Sequence, residues 1–247
     1  MSSDSCVRIA MWSGPRSIST AMMRAWENRP DTTVVDEPFY SYYLKATGVR
    51  HPGAAEIVEH GETRWQRVVE SLLGVPSAGE RIVFHKHMTL HLLDEIDRSW
   101  LDRVVNCFLI RDPGDVIASY VRKRPDVELA DLGFTQQTEL YHWVCENTGQ
   151  DPPILDARDV QNHPGDLLSQ LCARVGVSYD ERMLSWPAGR RSSDGIWARH
   201  WYAAVEQSTG FSPSVGKTDE VPAAFEEIHR RCAEAYDELY TCRLRPS

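Results

Sequence analysis

Ser13-Gly14-Pro15-Arg16-Ser17-Ile18-Ser19-Thr20 gathers one permanent cation, several hydroxyls and a glycine into eight positions. An apolar run, Val7 to Trp12, precedes it and reads as a strand; a helix-like run, Ala21 to Asn28, follows. A strand that turns tightly into a helix aims unpaired backbone N–H groups and the positive end of the helix dipole at one point, which makes an anion site. An ordinary Ser/Thr cap on a strand–helix turn would use the same residues. An ATP-type loop, G-x-x-x-x-G-K-[ST], does not fit. In the register starting at Gly14, Ser19 stands at the second Gly and Thr20 at the Lys. The turn suits a 5′-phosphate or a sulfate ester held by backbone amides and Arg16.

Further along, Val104 to Ile110 reads as a buried strand ending at Arg111-Asp112-Pro113-Gly114-Asp115. Pro113 suits the first turn of a helix, Asp115 complements the positive end of its dipole, and Ser119 comes about two turns in. A guanidinium at a strand end and a hydroxyl on the next helix can grip one phosphate together. Arg111 paired to Asp115, with Ser119 facing solvent, is the structural alternative. Two candidate bases lie after other strands: Glu37 after Thr32 to Val35, and His87 after Arg81 to His85. A histidine near ~6.5 is half ready at neutral pH, whereas a glutamate near ~4.3 needs burial to become a strong base. Both stay open. His85 and His87 also share a strand face and, with His91, could chelate a metal, yet no Asp or Cys set completes that site at a recognisable spacing.

The elements that must position these groups alternate in type. Helical patterns cover 54–73, Leu90 to Ile96, Asp115 to Arg124, Leu167 to Val175 and Ala223 to Leu239, and Pro152 to Leu155 opens a further strand. Strands separated by helices imply right-handed crossovers: a three-layer α/β fold with a mostly parallel central sheet covered by helices on both faces. Ligands gather beyond the carboxyl ends of such strands, so Arg16, Glu37, His87 and Arg111 are expected to face one crevice. Residues 1–247 read as a single domain, loop-rich over about 180–222, with a C-terminal helix over about 223–240.

A net charge of −9 argues against a general nucleic-acid binder, so an anion site must be a local basic pocket. Six scattered cysteines without a C-x-x-C pair fit reduced thiols in the cytoplasm. No segment approaches the ~18 apolar residues of a membrane span, and the N-terminus lacks a secretory pattern. Neither membrane nor nucleic acid is an expected partner; a homodimer is compatible.

With G-x-P-R-S-x-S-T after the first strand and R-D-P-x-D-V-x-x-S after a later one, the chain resembles the sulfotransferase family. The resemblance implies a P-loop-kinase-like fold and 3′-phosphoadenosine-5′-phosphosulfate (PAPS) as co-substrate, with no metal. It further implies sulfuryl transfer to a hydroxyl or amine of a small acceptor. In that family the first loop cradles the 5′-phosphosulfate, which here implies Gly14, Pro15, Arg16, Ser17, Ser19 and Thr20. The second unit implies Arg111 and Ser119 as the 3′-phosphate pair. Lys86-His87-Met88 resembles the K-T-H segment that carries the base in the small-molecule branch, and Glu37 matches the base of the carbohydrate- and protein-directed branches. Arg190 to Trp197 resembles the late R-K-G-x-x-G-D-W loop, which adds Arg190 to the 3′-phosphate site. Ile18 stands where the family usually has Gly, so the loop is expected to keep a conformation open to a β-branched residue. Two rivals remain: a small-molecule phosphotransferase using a nucleoside triphosphate, and a non-catalytic nucleotide-binding protein in which Ile18 has spoiled the loop.

Overall fold

Five strands pair into one sheet in the computed structural model of the chain, which describes residues 6–75, 80–122, 127–214 and 221–247. They are β1 (Val7–Ser13), β2 (Thr32–Asp36), β3 (Ile82–Met88), β4 (Val105–Ile110) and β5 (Ile154–Asp156). Their spatial order is β2-β3-β1-β4-β5, and every pairing is parallel. The expected α/β fold is therefore present, with a wholly parallel sheet.

The first half contributes helices α1 (Ser19–Glu27), α2 (Tyr40–Thr47), α3 (Ala54–His60), α4 (Trp65–Leu72), α5 (Pro113–Val121), α6 (Leu129–Leu132) and α7 (Phe134–Thr148). The second half adds α8 (Ala157–Asn162), α9 (Pro164–Arg174), α10 (Ala198–Trp201), α11 (Ala203–Glu206) and α12 (Glu226–Thr241). The single helix expected over 54–73 is two, because Gly61 takes an extended conformation (φ −98°, ψ 162°) between α3 and α4. Leu90 to Ile96 forms only the end of a short 3₁₀ turn, Thr89–His91, and then irregular chain. Positions 123 and 124 of an expected helix, 215–220 of the expected loop and residues 1–5 lie outside the described residues.

Strand alternation sorts side chains onto two faces. On one, Ile9 and Met11 of β1, Phe84 of β3 and Cys107 and Leu109 of β4 pack with Met22, Met23 and Trp26 of α1. On the other, Ala10 and Trp12 of β1 and Phe108 and Ile110 of β4 pack with Val68 of α4 and Leu140 and Val144 of α7. Each large aliphatic or phenylalanine side chain among them contributes on the order of 1.5–3 kcal/mol against conformational entropy. The parity of β3 decides which of its polar residues can reach a ligand. Lys86 and Met88 share a face with Phe84 above α1, while His85 and His87 point the opposite way, into the α7 layer.

His85 is fully buried, and neither ring nitrogen has a hydrogen-bond partner. Burial, with a smaller contribution from Arg8, pushes it down to about 3, so it is neutral in the fold. Below the ordinary value near ~6.5 the unfolded chain binds a proton that the folded chain refuses. Stability is therefore lost by ~1.4 kcal/mol for each unit that pH drops there. His85→Phe keeps the ring and removes both the titration and the orphaned nitrogens. In urea melts its advantage over wild type should grow by about 1.6 kcal/mol between pH 6.5 and pH 5. A gap that does not move with pH would refute a neutral, buried histidine at this position.

Candidate active site

At the carboxyl end of β1 the chain makes a turn that only certain residues tolerate. A Cβ on Gly14 would meet the carbonyl oxygen of Leu132 at 2.9 Å, so the close approach of the α6 end requires glycine there. Helix α1 then begins at Ser19 with no side-chain cap, and its first N–H groups have no carbonyl within the helix to bond. Among the described residues, the non-glycine positions with positive φ are Arg16 (62°), Ile18 (53°) and Glu37 (39°). Each such conformation costs on the order of 1–3 kcal/mol, and all three residues line one cleft. Ile18 overturns an expectation. The loop does not adopt a conformation suited to a β-branched side chain; it keeps the left-handed one (ψ 15°) that glycine takes freely. Its side chain packs on the core above α1, and its carbonyl accepts from the Met22 N–H at 3.0 Å, which holds the strained residue in place.

Positive charge converges on this turn. Arg16 Nε donates to Ser119 Oγ of α5 at 2.9 Å, and Arg111 Nη1 donates to the Arg16 carbonyl at 2.7 Å. Asp115 Oδ2 lies 3.6 Å from Arg111 Nη2 and 3.5 Å from Arg158 Nη2, so Arg111 meets the turn and its own helix at once. Burial, then the charges of Arg111 and Arg122, hold the Arg16 guanidinium below its ordinary value. It stays charged, and an anion in the cleft would relieve the repulsion. Arg16, Ser17, Ser19, Thr20, Arg111 and Ser119 all line the cleft, whose cavity is about 380 Å³. The residues present thus fit a phosphate-bearing group at this end.

Carboxylate chemistry is present in the same cleft. Lys86, fully buried, donates to Asp36 Oδ1 at 3.0 Å, to Tyr202 Oη at 2.8 Å and, more closely, to Glu37 Oε1. The Tyr202 hydroxyl in turn donates to Asp36 Oδ2 at 2.7 Å. Burial raises Glu37 above the usual carboxylate range; Lys86 opposes that rise and Asp36 adds to it. Asp36 and Glu37 hold Lys86 well above its ordinary value against the cost of burial. One ammonium between two carboxylates leaves Glu37 an easily protonated group at the edge of the cleft. The burial that a glutamate base needs is present.

Two expected site residues are placed elsewhere. His87 does not reach the cleft. β3 runs on to Met88, so His87 lies inside the strand on the α7 face, stacked on Trp12 at 4.2 Å and flanked by Phe39 and Trp100. Burial holds it well below its ordinary value. Arg190 is 59% exposed, lies 3.5 Å from Glu206 Oε1, and is not among the cleft residues. Its segment serves as an anchor instead: Asp194 pairs with buried Arg24 at 2.6 Å, and the Gly195 N–H donates to Asp36 Oδ2 at 3.1 Å. The histidine trio splits likewise. His85 and His87 are on one side of β3 and His91 is in the cleft, and no metal-holding group of three or more His, Cys, Asp or Glu occurs among the described residues. Sequence reasoning missed Tyr202, offered His91 only as a metal ligand and quoted Lys86 only beside His87; their meeting with Asp36 and Glu37 is tertiary. No helix among the described residues is long and apolar enough to cross a membrane.

The parallel α/β fold and its strand-end cleft have counterparts among known proteins: the chain belongs to the sulfotransferase domain family, matched over residues 7–235. It is similar to two Arabidopsis thaliana proteins, branched-chain-amino-acid aminotransferase-like proteins 1 and 2, at 32% identity over 231 residues and 31% over 237. The match takes in 94% and 96% of this chain but spans only 41% and 42% of those relatives' own length. Among solved structures, the sulfotransferase domain of the Synechococcus PCC 7002 olefin synthase superposes with a TM-score of 0.56 at 16% identity, covering 96% of this chain and 98% of that one. The sulfotransferase domain from the curacin biosynthetic pathway gives 0.52 at 15% (99% and 100% covered), and a sulfotransferase from Alicyclobacillus acidocaldarius gives 0.53 at 12% (98% of each). At such identities these likenesses concern the fold.

Proposed function

We propose that this domain moves a sulfuryl group from PAPS to a hydroxyl or amine of a small acceptor. The observation that carries this is one cleft lined both by a strained, cationic strand–helix turn and by the buried carboxylate of Glu37. PAPS supplies an activated sulfuryl group on a good phosphate leaving group. This chain's part is positioning and charge, as in phosphoryl transfer. The N–H groups at the start of α1, with Ser17, Ser19 and Thr20, would hold the 5′-phosphosulfate. Arg111 and Ser119 would take the 3′-phosphate. Arg16 would meet the charge that grows on the bridging oxygen as the S–O bond breaks. As the acceptor oxygen or nitrogen bonds to sulfur, Glu37 would take its proton, leaving a sulfated acceptor and adenosine 3′,5′-bisphosphate. Leu90, Trp201, Val205 and Phe211 line the same cleft and would give the acceptor an apolar wall.

Calorimetry tests the donor assignment. Adenosine 3′,5′-bisphosphate should bind more tightly than 5′-AMP by roughly 1.5–3 kcal/mol, the worth of one charge-assisted phosphate contact. Equal affinities would remove the 3′-phosphate role from Arg111 and Ser119.

A further inference from the structure

His91 ends the 3₁₀ turn after β3 and is 4% exposed at the cleft wall. Tyr40 stacks on its ring at 4.7 Å and 7°, and Tyr43 lies against it at 4.7 Å and 33°, so the imidazole is clamped in one orientation. Its Nδ1 is buried and has no hydrogen-bond partner. That atom lies 3.9 Å from Glu37 Oε2, while Lys86 engages the other oxygen of the same carboxylate. An orphaned buried polar atom is destabilising, and the cost disappears when a ligand supplies the partner. Two polar atoms about 4 Å apart can both lie within ~2.8 Å of one oxygen placed between them.

We propose that Glu37 Oε2 and His91 Nδ1 form a two-point seat for the reacting hydroxyl of the acceptor. The hydroxyl donates its hydrogen to Glu37 and accepts one from the Nδ1–H of His91. Its remaining lone pair is thereby fixed for attack on sulfur. As the new O–S bond forms, the bond from sulfur to the 5′-phosphate oxygen of PAPS would break and release adenosine 3′,5′-bisphosphate, while the hydroxyl proton passes to Glu37 and His91 keeps its own. Burial, His51 and Lys86 keep the imidazole neutral, so it holds the substrate without titrating. A seat with one acceptor and one donor matches an alcohol; a protonated amine has no lone pair to offer His91. The assignment rests on Glu37 as the base and adds a second residue, with a preference for hydroxyl over amine.

Benzyl alcohol and benzylamine, equal in body and different in reacting atom, are the probes, used with PAPS. Adenosine 3′,5′-bisphosphate binding is measured in parallel on every variant. His91→Phe keeps a ring against Tyr40 and Tyr43 and removes the nitrogen. It should lower kcat/KM for benzyl alcohol by roughly 10²-fold with nucleotide affinity unchanged. His91→Asn, whose amide can reach the Nδ1 position, should recover most of that loss. Wild type should prefer the alcohol. The seat is overturned if wild type leaves benzyl alcohol untouched or prefers the amine, if His91→Phe turns over like wild type, or if His91→Asn is no better than His91→Phe. Failure of wild type to bind the bisphosphate would instead overturn the sulfuryl-transfer reading, and the seat with it.

Discussion

Glu37→Gln should lower kcat by about 10²–10⁴-fold while binding of adenosine 3′,5′-bisphosphate stays nearly unchanged. Glutamine fills the same space but cannot take a proton. The substitution is mild for the fold, because Lys86 keeps Asp36 at 3.0 Å and no buried charge is left without a partner. The pH dependence carries its own sign. Burial and the neighbouring Asp36 raise Glu37, so its reactive, ionised form appears only as pH climbs past a value above the ordinary carboxylate range. The kcat/KM profile of wild type should therefore rise along an acid limb that starts above ~4.3, and that limb should be missing in Glu37→Gln. His87→Phe, which changes a ring stacked on Trp12 behind the sheet, should keep near wild-type turnover. The opposite pair of results, an active Glu37→Gln and an inactive His87→Phe, would return the base to the K-T-H position.

The first site is legible in the sequence because its signals are local. An apolar run, a turn of small and polar residues and a helical run sit within about two dozen positions, and they become β1, Gly14 to Ile18 and α1. The rule for strand ends places Arg16 and Arg111 in one crevice, and both line one cleft with Ser119. His87 is misplaced through strand length. Ending β3 at His85 leaves 86–88 as free chain, whereas a strand that runs to Met88 imposes alternation and sends Lys86 and His87 to opposite faces. Helix α7 escapes a reading by periodicity because its buried stripe includes polar Gln137 and Thr138. Gln137 is buried because its amide donates to the carbonyls of Trp12 and Leu109, contacts that no window of sequence contains. The Lys86, Asp36 and Tyr202 cluster joins residues 50 and 166 positions apart, and His91 is informative only through the Nδ1 that the fold leaves unpartnered.

Arg16→Ala should cost on the order of 10²–10³ in kcat, comparable to removing an oxyanion-hole donor. The geometry of the turn is the reason. Arg16 takes a left-handed backbone that an ordinary surface arginine would avoid, its Nε is fixed by Ser119, and its carbonyl is held by Arg111. A cation pinned before the reaction begins needs no reorganisation when negative charge develops on the leaving phosphate. An interaction that is stronger in the transition state than in the ground state lowers kcat more than it weakens binding. Arg16→Lys should recover part of the loss, since it restores the charge but not the forked geometry. Sulfuryl transfer through this cationic turn is decided by one comparison: single-turnover transfer from PAPS by wild type and Arg16→Ala with a chelator present, alongside calorimetric binding of adenosine 3′,5′-bisphosphate. Wild type should be indifferent to the chelator, and Arg16→Ala should slow the chemical step on the order of 10²–10³-fold with nucleotide affinity little changed. A variant that binds nucleotide poorly yet transfers at the wild-type rate, or a wild type that uses only ATP with Mg²⁺, would contradict it.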